Sequence, residues 1–297
     1  VMGGQYAENI EIINKNNITL IGRNSSNGRP AITGTSAEHG FPCQDIEKLN
    51  GAVVLINANN IIIKNFKINT EINGSRNNCG IAVESDGSLI EDNEISNFDF
   101  GIVLCGSSKN KIRKNLIQNN SLFGVILSKS FGNIINFNIV GGSNKDISFD
   151  KESKDNKVYF NLLQRSRYTA YDAEETNSNK WDNGEYGNYY DDHQCDAGID
   201  GLCTREKKIL TEDNIDRHPI TRDFFFSNRK RLCMDLCEIS TDPSAICDIC
   251  LEVEKNKSIA RVGDVIGFDL KVSNTGSVGL RNISLECSRA NYNEFLG

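Results

Sequence analysis

The sequence predicts an all-β chain whose first two-thirds wind into a parallel β-helix, and three observations lead there. The first is an internal repeat. Lines beginning GIAVESDGSLIEDNEISN at Gly80, GIVLCGSSKNKIRKNLIQN at Gly101, GVILSKSFGNIINFNIV at Gly124 and DISFDKESKDNKVYFNLL at Asp146 start 21, 23 and 22 residues apart. The second is a column in phase with that repeat. Asn93, Asn115, Asn138 and Asn161 recur at spacings of 22, 23 and 23, and each is followed two residues later by Ile95, Ile117, Val140 or Leu163. The third is patterning: each line splits into short runs of alternating apolar and polar residues around polar turns, which is how short strands read. A unit this short has nowhere to bury its apolar face alone. Stacked copies bury it, each unit becoming one coil around a continuous core.

Within this scheme Ile81, Val83, Ile102, Leu104, Val125, Leu127, Ile147 and Phe149 are the inward residues. The recurrent Asn belongs at a bend, where its amide can bond to the same Asn one coil away and satisfy turn backbone otherwise buried unpaired. In neighbouring columns Glu91 falls beside Arg113 and Asp92 beside Lys114, ordinary surface charges whose pairing checks the register. Upstream, ENIEIINKNNITLIGRN and VVLINANNIIIKNFKINT read as two earlier coils, with Phe66 in place of the ladder Asn and Ile68 inward. Between them lies an insertion, residues 34–50, containing Cys43; a second bulge, TEINGSRNNC, ends at Cys79. Both are expected to project on one side, joined by Cys43–Cys79, and loops leaving a rigid scaffold are where binding sites are usually built.

Composition narrows the setting. The chain has 297 residues and a net charge of −7, with scattered basic residues, so nucleic acid is not an expected partner. No apolar run approaches the roughly 20 residues that cross a bilayer, and no leader is recognised at VMGGQYAENI, which reads as cut from a longer protein. Ten Cys, with the close pairs Cys195/Cys203, Cys233/Cys237 and Cys247/Cys250, point to disulfides and an extracellular or cell-surface protein. Six Asn-x-Ser/Thr sequons, at Asn17, Asn24, Asn73, Asn119, Asn256 and Asn282, agree as candidate glycosylation sites.

The opening GGQYAENIEIINKNNITLIGRNSSNGRPAITG resembles the first coils of pectate-lyase-like right-handed β-helices, and the Gly-Ile-x-Leu…Asn-x-Ile lines resemble the NosD-like, CASH-type group. WDNGEYGNYYDDHQCDAGIDGLC, followed by DRHPI, is similar to the segment that closes many archaeal members. The resemblance covers about residues 1–222 and implies a fold more than an activity, because β-helices host enzymes, adhesins and surface-layer proteins alike. It makes residues 175–222 a cap in which Trp181, Tyr186, Tyr189 and Tyr190 cover the last apolar rung, removing an open sheet edge.

Candidate ligand groups are sparse. DAGIDG suits calcium weakly, through Asp196 and Asp200, and a Cys195–Cys203 disulfide can hold the loop instead. His193, His218 and His39 are scattered, too few for zinc. Copper, which the NosD-like name suggests, wants Met, His and Cys clusters that two Met and three His do not supply. An enzyme of this fold would draw on Glu84, Asp86, Asp99 and Lys109, residues that base rates assign to the solvated exterior.

Residues 223–250 read as a Cys-rich linker with Phe224, Phe225 and Phe226 as an apolar anchor. Cys233, Cys237, Cys247 and Cys250 are expected in disulfides, with a zinc site as the alternative. Residues 251–297 resemble the start of an Ig-like surface module, through Val262-Gly263-Asp264 and Asn274-Thr275-Gly276. Their length allows about three strands, so the module is expected to be truncated or completed by another chain. The expectation is therefore an extracellular structural or cell-surface protein, of surface-layer, sheath or adhesin type. It would have no required cofactor and would assemble with itself or other surface proteins. The alternative is a β-helix that binds or cleaves carbohydrate.

Overall fold

The computed structural model describes residues 1–26, 28–34, 46, 49, 51–70, 79–174, 178–198, 200–209 and 214–228. It gives backbone alone at 37–38, 78, 229, 232–235, 248–255 and 268–274. Residues 1–225 form one compact unit and 226–297 a second.

The first unit is a parallel β-helix of three sheets. The long sheet runs Ile10–Ile13, Gly51–Asn57, Asn78–Val83, Phe100–Cys105, Phe123–Ser128, Lys145–Phe149, Tyr168–Asp172. The second runs Thr19–Ile21, Ile62–Lys64, Leu89–Glu91, Lys111–Arg113, Ile134–Asn136, Lys157–Tyr159. The third begins at Gln5–Tyr6 and Ala31–Ile32 and continues through Lys67–Asn69, Glu94–Ser96, Leu116–Gln118, Ile139–Gly141 and Leu162–Gln164 to Tyr189–Tyr190. Every pairing along these three paths is parallel, and each coil contributes one strand to each sheet it completes. All eight expected inward residues are buried in a single interior cluster, as are Ile95, Ile117, Val140 and Leu163.

Three corners per coil separate the sheets, and each uses at least one residue with positive φ. Between the second and third sheets these are Asn65, Asp92, Lys114, Phe137 and Phe160; between the long and second sheets, Asn60, Gly87, Lys109, Gly132 and Asp155. Between the third and long sheets they are Asn97, Asn119, Gly142 and Arg165. The residue after the corner points inward, which is where the ladders form. Asn93 donates its backbone N–H (2.9 Å) and Nδ2 (3.1 Å) to Asn115 Oδ1. The same pair of bonds joins Asn115 to Asn138, Asn138 to Asn161, and Asn161 to Asn188. Phe66 holds this position one coil earlier, its N–H bonded to Asn93 Oδ1 at 3.0 Å.

A second ladder, absent from the sequence expectation, runs through Asn110, Asn133, Asn156 and Asn179. Beside it Ser107, Ser130 and Ser153 form a shorter column. Gly101 and Gly124 open their lines because neighbouring atoms leave no room for a Cβ. A Cβ on Gly101 would lie 2.5 Å from Gly124 O, and one on Gly124 would lie 2.4 Å from Val140 Cγ1.

The cap expectation is corrected in two respects. Winding does not stop before residue 175, since Tyr189 and Tyr190 pair with Leu162 and Leu163 as a further strand of the third sheet. Trp181 and Tyr190 do enter the interior, with Trp181 against Phe149 at 5.3 Å between ring centres. Tyr186 and Tyr189 instead lie outside the helix, because alternation along the strand sends Tyr189 opposite to Tyr190. There they join Phe137, Phe160, Leu202, Ile220, Phe224 and Phe225 in an external cluster. Helix α1 (Arg222–Arg229) closes it. Thr221 caps α1 by accepting Phe224 N–H through Oγ1 at 3.1 Å, which turns Phe224 and Phe225 onto Phe160. Phe226, which was expected to share in that anchor, is exposed.

In the second unit, Leu232–Asp235 pairs antiparallel with Asp248–Lys255, which pairs antiparallel with Phe268–Asn274. The Cys-rich stretch therefore supplies a strand to this sheet, with Cys233 and Cys250 opposite one another in register. Cys237, Cys247, Val262-Gly263-Asp264 and Thr275-Gly276 lie outside the described residues.

Candidate functional site

The residues an enzyme would draw on are divided between two corners. Asp86 and Lys109 lie at the corner after the long sheet, where Asp86 accepts Ser108 N–H at 2.6 Å and Lys109 N–H goes to Phe131 O. Glu84 ends a long-sheet strand and accepts Asn57 Nδ2 at 3.2 Å. Asp99 lies at the corner before that sheet, accepting the Ser121 hydroxyl. Each carboxylate stitches one coil to the next. Structure turns these groups toward backbone and neighbouring side chains rather than into a shared groove.

Glu91 departs from the expected solvated charge. It is 4 % exposed on the outer side of the second sheet, in contact with Lys64 Nζ (2.9 Å), Arg113 Nε (2.9 Å) and Lys114 Nζ (3.7 Å). Burial alone would raise its pKa. The Lys64 hydrogen bond and the charges of Arg113, Lys64 and Lys114 outweigh that and hold it below the usual carboxylate value. Burial correspondingly lowers the pKa of Lys114. Asp92 forms its ion pair with Arg29 at 3.3 Å instead of Lys114.

Four buried carboxylates were not anticipated: Glu174, and three with raised pKa. Asp146 stands in the column of Gly101 and Gly124, fully buried, with Ser166 donating to Oδ1 and Oδ2 without a partner. Desolvation pushes its pKa up to about 9, and the charges of Asp191 and Asp192 add to the shift. Asp172 points into the interior, taking Asn179 Nδ2 at 3.2 Å and Trp181 Nε1 at 3.0 Å, and burial raises its pKa. Asp216 receives the end of the first ladder: its Oδ2 accepts Asn188 N–H (2.7 Å), Asn188 Nδ2 (3.3 Å) and Tyr190 OH (3.0 Å). Burial lifts Asp216 to about 7 despite these donors. Both ladders thus end on a carboxylate, which accepts where another Asn would have accepted.

At the loop expected to suit calcium, Asp196 pairs with Arg205 at 3.0 Å and Asp200 accepts Leu202 N–H at 3.1 Å. Cys195 and Cys203 form a disulfide that closes this loop. His193 Nε2 lies 3.1 Å from Arg205 O, and His218 Nδ1 lies 3.7 Å from Asp182; His39 lies outside the described residues.

The expected Cys43–Cys79 pairing is corrected: Cys79 is a free thiol, wholly buried on the outer side of the long sheet, while Cys105 is disulfide-bonded. The strand geometry accounts for it, since Cys79 stacks in register on Phe100 beneath other side chains. Cys43 lies outside the described residues. Of the sequons, Asn17, Asn24 and Asn119 are exposed; Asn73, Asn256 and Asn282 lie outside the described residues.

Residues 2–195 match the family described as "Periplasmic copper-binding protein (NosD)". No curated protein matches the chain. The described residues do not fit a copper ion. No group of three or more His, Cys, Asp or Glu among them could hold a metal, and the sulfurs of Cys105, Cys195 and Cys203 are committed to disulfides. Burial raises the Cys79 thiol far above its ordinary value, away from the thiolate that binds metal. No helix among the described residues is long and apolar enough to cross a membrane. By the span of the match and by its stacked parallel coils, the chain belongs to the NosD family.

Proposed function

We propose that the protein is a structural rod of the cell exterior or envelope, acting as a scaffold that assembles with itself or with other surface proteins. One observation carries this reading: the polar residues of the coils are used to lock one coil to the next. Two Asn ladders run inside, and Glu84, Asp86 and Asp99, the groups that chemistry would need, bond across coils on the outside. A rigid rod of this kind resists local opening, because the Asn amides of both ladders bond from one rung to the next. The disulfides at Cys105 and Cys195–Cys203 support an oxidising location, as does the family's periplasmic description.

Fractionation of native cells, with electrophoresis of each fraction before and after reduction, tests the proposal. The protein is expected outside the cytoplasmic fraction and in high-mass species. Recovery as a cytoplasmic monomer under both conditions would overturn it.

A further inference from the structure

The long sheet is apolar on both faces, as parallel sheets covered on both sides are. On its outer side Ala52, Cys79 and Phe100 form one column and Leu55, Ala82 and Val103 another, all buried in a cluster that includes Ile46 and Leu49 of the insertion. The same columns continue into Phe123, Lys145 and Tyr168, and into Ile126, Ser148 and Tyr171. There the covering thins: Phe123, Lys145, Tyr168 and Tyr171 are half-buried. Phe123 stacks on Phe100 at 5.7 Å and 11°. The Lys145 ammonium sits 3.4 Å from the Tyr171 ring centre and 5.5 Å from that of Phe123, and the Arg167 guanidinium 5.2 Å from that of Tyr168.

Some surface cations have carboxylates: Lys64 and Arg113 share Glu91, Arg205 has Asp196, and Lys207 has Asp192. Lys145 and Arg167 have none among the described residues. Two cations fixed on aromatic rings, beside half-covered apolar columns, have the composition of an interface centre, where Tyr and Arg concentrate.

We propose that this part of the long sheet is the docking surface for a second copy of the chain, whose acidic cap segment supplies the carboxylates that Lys145 and Arg167 lack. The chain carries net charge −7, and its cap exposes Glu185, Asp191, Asp200 and Glu206. A head-to-tail contact between copies forms a ring where the rotation closes and an open assembly where it does not. The inference rests on the scaffold reading and names its partner.

The test is sedimentation of the purified full chain over a range of concentration and salt, for wild type and for Lys145→Glu/Arg167→Glu, with circular dichroism confirming the fold of each. Wild type is expected to self-associate, less so in high salt, and the double variant to lose at least about tenfold in association. Mixing that variant with Glu185→Lys/Glu206→Lys is expected to restore association. A double variant that associates like wild type overturns the docking surface and leaves the scaffold reading standing. A purified wild type that stays monomeric, although native material is of high mass, overturns the second copy as partner. Wild-type capture of an acidic polysaccharide without self-association also overturns it.

Discussion

Replacing Asn138 by Ala removes a whole rung of the first ladder. Asn138 Oδ1 accepts Asn115 N–H at 2.9 Å and Asn115 Nδ2 at 3.1 Å. Its Nδ2 donates to Ile112 O (2.8 Å), Asn136 O (3.0 Å) and Asn161 Oδ1 (3.0 Å). In Asn138→Ala the Asn115 amide keeps Ile90 O as partner for its side chain, but its buried backbone N–H is left with none. An orphaned buried donor costs about 1–3 kcal/mol and each lost amide bond about 1 kcal/mol, so the expected loss is about 3–5 kcal/mol.

Asn138→Ser is the discriminating comparison. In the neighbouring Ser column, Ser130 Oγ and Ser153 Oγ accept backbone N–H groups of the preceding coil at 3.3 and 3.2 Å. A hydroxyl at 138 can therefore rescue the Asn115 N–H while restoring none of the Nδ2 bonds, and it should recover about 1–2 kcal/mol of the loss. Urea unfolding followed by far-ultraviolet circular dichroism measures both. If Ala and Ser cost the same, or Ala costs less than about 1 kcal/mol, the ladder is a by-product of coil stacking rather than a cause of it.

Three further outcomes are expected. Asp216 is raised to about 7 in the fold, so the unfolded chain ionises first. Stability should fall as pH rises from the ordinary Asp value of 3.8 to about 7 and then level off as far as this group is concerned, a change of about 4 kcal/mol. Asp216→Asn keeps an acceptor for Asn188 and should flatten that part of the profile, leaving the slope toward about 9 that belongs to Asp146. Reducing Cys195–Cys203, which spans 8 residues, should lower stability by about 2–3 kcal/mol in thermal or urea melts, while Cys79 remains unreactive to thiol reagents until unfolding. Gly101→Ala should destabilise by at least about 2 kcal/mol, because its Cβ would meet Gly124 O at 2.5 Å. Gly106→Asn, at φ 55° with open space around it, should be nearly neutral in the same melts.

What could be read from the sequence was whatever repeats in residue type. Asn93 through Asn161 recur as Asn because only an amide both accepts from the coil before and donates to the coil after, so the column advertises itself. The Gly of Gly101 and Gly124 recurs because a Cβ on either would lie within 2.5 Å of a neighbouring atom. The positive-φ corner immediately before the ladder is just as regular, yet it passes through Asn65, Asp92, Lys114, Phe137 and Phe160. Its requirement is on backbone conformation, and the stacked hydrogen bonds enforce that on any side chain. A column fixed by its neighbours leaves no trace in composition.

The carboxylates follow the same logic in reverse. Charge in a short polar turn reads as solvated, which suits Asp86 and Glu84. Whether a given Asp faces water depends, however, on its column and on what covers that column. Asp146 occupies a position that Gly124 and Gly101 hold one and two coils earlier, and Asp172 an inward position that Phe149 and Leu127 hold. Register alone could have placed both indoors, because an in-phase repeat assigns every residue a face. That signal lies in the alignment of the lines, where position outweighs charge. Glu91 shows the remaining limit: its column faces outward, and only the convergence of Lys64 from the coil before with Arg113 and Lys114 from the coil after encloses it. Burial of that kind is made by side chains from different rungs meeting over one strand, so it belongs to the stack rather than to any one line of the repeat.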